Sequence, residues 1–225
     1  MKYRIYPLYV MCTLAFFCHG NDVELRPSEQ ARCDKAHLVE KIIGGNSLLI
    51  LSHSVYFRHD YPICVKSCLI GRRHHVYRRL ISYFNKKRKV QRIHGPKIER
   101  KAYVRVLRRA IDNRTILVVD AFMGLNATDP KVSGRYDIFF ANAACFVMGT
   151  HIASFSSATY MADRGQARNS ACLLWRTAGA AEKDRVPCRR AFEAHCRRYH
   201  GYKFVYTRDI CMTTTHTRQS MCATQ

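Results

Sequence analysis

Cys172-Leu173-Leu174-Trp175, followed by Pro187-Cys188, Phe192, Cys196, Val205-Tyr206 and Cys211, is the stretch whose reading decides the fold. It holds the chain's only tryptophan and four of its 11 cysteines. Ala171 to Trp175 reads as a short apolar strand, and Tyr202 to Tyr206 as a second. Between them Cys188, Ala191, Phe192, His195, Cys196 and Tyr199 recur at three- and four-residue spacing. That spacing predicts a helix over 187–199 with Pro187 in its first turn. A strand, a cysteine-anchored helix and a closing strand follow one another, and the cysteines imply that the helix is pinned to an earlier part of the chain.

The 225 residues suit a single β-barrel, and a hydrophobic content of 48% is enough for a packed core. Beyond the N-terminus no apolar run reaches the roughly 18 residues of a membrane span. Residues 1–20 read as a secretory signal peptide: Lys2 and Arg4, then the apolar Leu8 to Phe17, then Cys18-His19-Gly20. Residues 21–225 then form the mature, extracellular domain. It retains nine cysteines: Cys33, Cys64, Cys68, Cys145, Cys172, Cys188, Cys196, Cys211 and Cys222. In an oxidising compartment these read as disulfides, and the odd number leaves at least one thiol free or intermolecular. Spacing alone does not give the pairing. Zinc is the rival reading at Cys64 and Cys68, but no second Cys/His pair stands at finger spacing. The sequons at Asn113 and Asn126 agree with secretion.

Read in order, residues 28–43 predict a helix stopped by Gly44-Gly45. Residues 47–57 read as strand one and 63–70 as strand two, broken by Gly71. The segment 72–109 carries 15 cations and one acid, Glu99. Its recurring apolar residues suggest two or three strands with cationic outer faces and a loop at His94-Gly95-Pro96. A helix over 76–88 fits the same spacing. Residues 115–123 form a further strand, 124–134 a loop, 135–141 with 144–150 a hairpin, and 151–170 a long loop. About eight short strands in this order predict an all-β fold: an antiparallel up-and-down barrel with an N-terminal and a C-terminal helix.

The C-terminal stretch resembles the tick salivary lipocalins, the histamine-binding protein family, with its Cys-x-Leu-Trp, Pro-x-Cys, Phe, Cys and Val-Tyr pattern. Tyr56 to Val65 is similar to that family's Tyr-x-x-Asp-Pro…Cys-Val. Tyr136-Asp137-Ile138-Phe139-Phe140 leading to Cys145-x-Val147 is similar to the strand turn that ends there in Cys-Asp-Val. The matches cover most of the chain outside 70–115. The resemblance implies a disulfide-stapled eight-stranded lipocalin barrel with pairs Cys64–Cys211, Cys145–Cys188 and Cys172–Cys196. It implies sequestration of a small host mediator, a biogenic amine such as histamine or an eicosanoid, in suppression of host inflammatory defence.

The chain departs from the amine binders where it matters for charge. Those members carry one acid after the strand-end cysteine and one before Leu-Trp; here the positions are Phe146 and Leu173. A buried amine needs carboxylates or aromatic faces around it, so their loss favours an apolar or anionic mediator of the leukotriene or thromboxane type. The ligand-binding candidates are Tyr56, Asp120, Phe122, Tyr136, Phe139, Phe146 and Trp175. Asp120 is the acid nearest a pocket, unless it faces solvent or pairs with an arginine. Trp175 also reads as a structural plug at the barrel floor. The formal net charge of +22 suggests a different function class, a surface that docks on sulfated glycans such as heparan sulfate or on a host protein through 72–109. No hydrolase, metalloprotease, phosphate-loop or Cys-x-x-Cys motif is present, so the sequence points to no enzyme, no cofactor and no metal. No nucleic-acid recognition fold precedes the basic run.

Overall fold

The computed structural model describes residues 27–86, 96–150 and 171–212, with side chains 27–34 and 212 excepted. Residues 1–20 of the expected signal peptide, the Cys33 side chain, the cations of 87–92, the segment 151–170 expected to be a long loop, and Cys222 lie outside the described residues. The elements in order are α1 (Pro27–Gly44), β1 (Leu49–Tyr56), β2 (Pro62–Arg73), β3 (Val76–Asn85), β4 (Ile98–Arg108), β5 (Thr115–Ala121), β6 (Gly134–Ala141), β7 (Cys145–Gly149), β8 (Ala171–Thr177), α2 (Glu182–Cys196), β9 (Tyr202–Val205) and α3 (Arg208–Met212).

Each of β1 to β8 pairs antiparallel with the next, and β8 pairs back along β1 from Leu49↔Thr177 to Tyr56↔Ala171. The ring closes through Leu49↔Ser67 and Ile50↔Lys66 between β1 and β2. Past Ile50 that edge of β1 is taken over by β9, from His53↔Val205 to Tyr56↔Tyr202. Thus β1 keeps a partner on both sides although its pairing with β2 spans only two residue pairs. The helix α1 lies across one end, with Val39, Ile42 and Ile43 buried and its C-terminus leading directly into β1. The other end carries the loops 57–61 and 122–133.

Alternation sorts the side chains. In β7 and β8 the inward residues Phe146, Met148, Leu173 and Trp175 join the barrel core. The outward residues Cys145, Val147, Cys172 and Leu174 lie under α2 with Phe192 and Tyr199. Both faces of these strands are therefore apolar, as expected of strands buried on two sides. Cys145–Cys188 and Cys172–Cys196 bolt α2 to β7 and β8, and Cys64–Cys211 ties β2 to α3. Cys68 is also disulfide-bonded, with its partner outside the described residues.

The strand reading of the basic segment holds over Val76–Asn85, where Tyr77, Arg79, Ile81 and Tyr83 alternate inward with a period of two, against the alternative of a helix. Three sequence expectations change. Gly71 does not end β2; it absorbs a register shift against β3, and pairing continues to Arg73↔Val76. The helix α2 begins at Glu182, so Pro187 lies inside it. Glu182 and Asp184 start that helix by placing negative charge in its first turn, and the hydrogen bond that Pro187 removes falls at an exposed position. A ninth strand stands outside the ring.

Gly201 lets β9 dock. A Cβ there would sit 2.2 Å from the Tyr56 carbonyl oxygen, at a φ of 155°. Gly201→Ala is expected to destabilise the fold by more than about 1 kcal/mol in urea unfolding. Gly179→Ala, where nothing lies within 4 Å of the added carbon, should leave the midpoint nearly unchanged; equal effects would contradict this account of the docking.

Candidate functional site

The barrel interior narrows to a cavity of about 40 Å3. Its wall is apolar over most of its extent. Leu51, Val65, Ile81, Val104, Leu117 and Val119 form the sides, and Phe146, Met148, Leu173 and Trp175 form the β7–β8 wall. Ser67, Arg79, Lys131 and the phenols of Tyr56 and Tyr136 bring polarity.

Arg79 is the unusual member. It points inward from β3 and is only 2% exposed. Its Nε donates to Ser67 Oγ at 2.8 Å, one terminal nitrogen to the Ser67 carbonyl at 2.9 Å, and the other to the Ile43 carbonyl in the last turn of α1. The negative end of a helix dipole suits a cation. Yet no carboxylate pairs with Arg79 among the described residues. Burial pulls its pKa down to about 10, so it remains charged at neutral pH. A guanidinium fork offers more donors than these three bonds use.

At the open end Lys131 and Val132 of the 122–133 loop line the cavity. Asp129 N–H donates to the Ala121 carbonyl at 2.7 Å, and Ser133 Oγ exchanges hydrogen bonds with the Ala121 backbone. The Asp129 carboxylate, 2% exposed, accepts from Tyr83 Oη at 2.5 Å, from Arg100 Nε at 2.8 Å and from Lys131 N–H at 3.0 Å. Lys131 Nζ reaches Asn85 at 2.8 Å and Asp60 at 3.3 Å. This network holds Lys131 and Val132 against the cavity. Burial alone would raise the Asp129 pKa, but the bonds from Tyr83 and Arg100 outweigh it and hold the carboxyl below its usual value. Burial raises the Tyr56 and Tyr136 phenols, which stay protonated donors.

Of the sequence candidates, Tyr56, Tyr136, Phe146 and Trp175 line the cavity. Asp120, Phe122 and Phe139 do not. Asp120 faces outward and pairs with Arg105 at 2.7 Å. Phe122 meets Tyr103 edge-on outside the barrel. Phe139 falls at a register shift in β6 that turns it toward His195 and Tyr199 of the helix layer. Sequence reading missed Arg79, Lys131 and Asp129. Strand parity in β3 signals the first; the others sit in a loop, where no periodicity exists to place them.

A closed ring of eight antiparallel strands in chain order, one end crossed by the N-terminal helix and the other by loops, with a second helix bolted outside, settles the architecture. This is the lipocalin fold. No family model and no curated protein matches the sequence. Among solved structures, this chain is similar to Japanin from Rhipicephalus appendiculatus bound to cholesterol, at 15% identity over 72% of this chain and 92% of that one, with a TM-score of 0.42. It is also similar to apocrustacyanin C2, at 10% identity over 74% and 75% with a TM-score of 0.41. Lobster apocrustacyanin A1 follows at 8% over 69% and 71%, with a TM-score of 0.39.

The mouth network predicts a pH signature. Because the folded Asp129 pKa is depressed, its contribution is complete above the unfolded carboxyl value of about 4 and is lost as pH falls through the folded value. Asp129→Asn is expected to cost roughly 1–3 kcal/mol at neutral pH, measured by urea unfolding, with the gap to the parent shrinking in acid. A gap that stays constant from neutral pH to pH 3 would contradict the assignment.

Proposed function

We propose that this chain is a secreted salivary lipocalin of the tick type that sequesters one small host mediator in its barrel, and that the mediator is an apolar molecule with an acidic group, of the leukotriene or thromboxane class. The observation that carries this reading is the charge of the wall. Its charged members are the cations Arg79 and Lys131, and no carboxylate is among them. Phe146 and Leu173, the positions where amine binders of the resembling family carry acids, face the interior as apolar side chains. An ammonium buried there would lose its hydration with no acid to replace it. A carboxylate would meet a guanidinium whose fork matches it, and the ligand's carbon skeleton would meet the aliphatic and aromatic wall.

Binding is stoichiometric, and its outcome is removal of the mediator from host inflammatory signalling. A cavity of about 40 Å3 is far below the roughly 300 Å3 or more of ligand sites, so loading requires 122–133 to swing away from the mouth. Secretion rests on the signal segment at 1–20 and on three disulfides in the described residues. No helix among the described residues is long and apolar enough to cross a membrane. Asn113, at a turn position with a φ of 52°, and the exposed Asn126 are the proposed glycan acceptors.

Trp175 is the chain's only tryptophan and lines the cavity, so its emission reports filling. Titration with a leukotriene is expected to change that emission saturably at one ligand per chain, while histamine and serotonin leave it unchanged. Saturable binding of histamine with none of the leukotriene would overturn the reading. Lys131→Met, which alters the mouth and not the closed end, should leave leukotriene binding within about threefold of the parent.

A further inference from the structure

We propose that the outer face of β2–β6 binds a linear sulfated glycan, at a surface separate from the barrel cavity and independent of what the cavity holds. The cross-strand registers put Arg73, Val76, Arg105, Val118 and Arg135 on one line across five neighbouring strands. Cation and valine alternate along that line. With strands about 4.8 Å apart, successive guanidiniums leave the sheet roughly 10 Å from one another. Arg78 lies beside Tyr103 in the adjacent row, and Lys101 beside Leu80 in the next. All five cations are exposed. The acids on this face are already paired: Asp120 with Arg105, Glu99 with Lys97 and Asp137 with Arg114. Arg73, Arg78, Lys101 and Arg135 form no ion pair among the described residues.

Such a face is unfavourable by itself. Like charges at neighbouring sheet positions repel, and a face kept merely for solubility mixes both signs. Here the repulsion is concentrated on one side of the molecule. Among the described residues α2 packs on β7, β8 and part of β6, and α1 crosses the closed end, so the outer face of β2–β5 lies outside the helix layer and Arg135 at the near end of β6 stays exposed. A chain with sulfates at regular intervals would neutralise the row by lying across the strands, with the adjacent cations meeting its substituents. The long arginine stems adjust to such a chain without a preformed pocket. A bilayer fits less well, because the row carries charge where an inserting surface needs apolar side chains. Single-stranded nucleic acid needs stacking platforms, and Tyr103 is already engaged edge-on by Phe122.

The test uses the full mature chain, oxidised, with a heparin oligosaccharide as the probe, followed by calorimetry at several salt concentrations. Binding is expected to weaken steeply as salt rises. The variant Arg73→Ser/Arg78→Ser/Lys101→Ser should bind on the order of tenfold more weakly, the sum of three exposed charge contacts. A control variant on the opposite side, Arg190→Ser/Arg197→Ser/Arg198→Ser, carries the same charge change and should bind within about twofold of the parent. Leukotriene titration of Trp175 emission should be unaltered in both variants, which separates failure here from failure of the cavity reading. Equal losses in the two variants would overturn the proposal, because attraction would then be diffuse. So would tighter binding to phosphatidylserine vesicles or to a DNA oligonucleotide of equal charge than to heparin.

Discussion

The structure turns on one buried cation. Arg79 reaches from β3 across the closed end, takes two acceptors from Ser67 of β2 and one from the last turn of α1, and so fastens the helix that floors the barrel. Burying a guanidinium this completely costs several kcal/mol, and the neutral acceptors with the helix dipole offset only part of that. The charge that remains is a fact about the cavity as much as about the fold. The residue that fixes the floor also fixes the sign of the potential inside.

The rest of the interior follows from alternation under the second helix. Cys145 and Cys172 must face outward to reach Cys188 and Cys196, so the residue after each faces inward. Those residues are Phe146 and Leu173. The disulfides that hold α2 thereby dictate which side chains face the cavity. At the other end a loop replaces regular structure, and the Asp129 network with Tyr83 and Arg100 closes over the apolar wall. The mouth is held by polar bonds that exchange with water more readily than packed core does. It is the element from which a ligand-gated opening is expected.

Much of this was legible in the sequence, and the failures have physical causes. The strand–helix–strand pattern from Cys172 to Cys211 gave the barrel, its external helix and the order of the final elements. Asp120 was misplaced because β5 is apolar on both faces: Val118 is buried outward while Val119 faces the cavity, so the strand shows no alternation to read. Phe139 was misplaced by the register shift in β6, which no composition signals. Pro187 suggested a helix start, but the acids at 182 and 184 begin the helix earlier. Arg79 was counted among 15 cations of one segment; it falls on the same every-second-residue row as Tyr77, Ile81 and Tyr83, which marks its face as inward. Asp129 was invisible because a buried loop acid depends on Arg100, a partner far away in sequence.

In the proposed function the uncompensated charge of Arg79 selects the ligand and sets its direction. A crystal structure of the protein with a bound leukotriene tests it most directly. The account predicts the hydrocarbon chain along the Phe146–Leu173 wall, the carboxylate within hydrogen-bond distance of the Arg79 guanidinium at the closed end, and 122–133 displaced from the mouth. A ligand carboxylate placed at the mouth with Arg79 contacts unchanged, or an amine seated in the cavity, would contradict it.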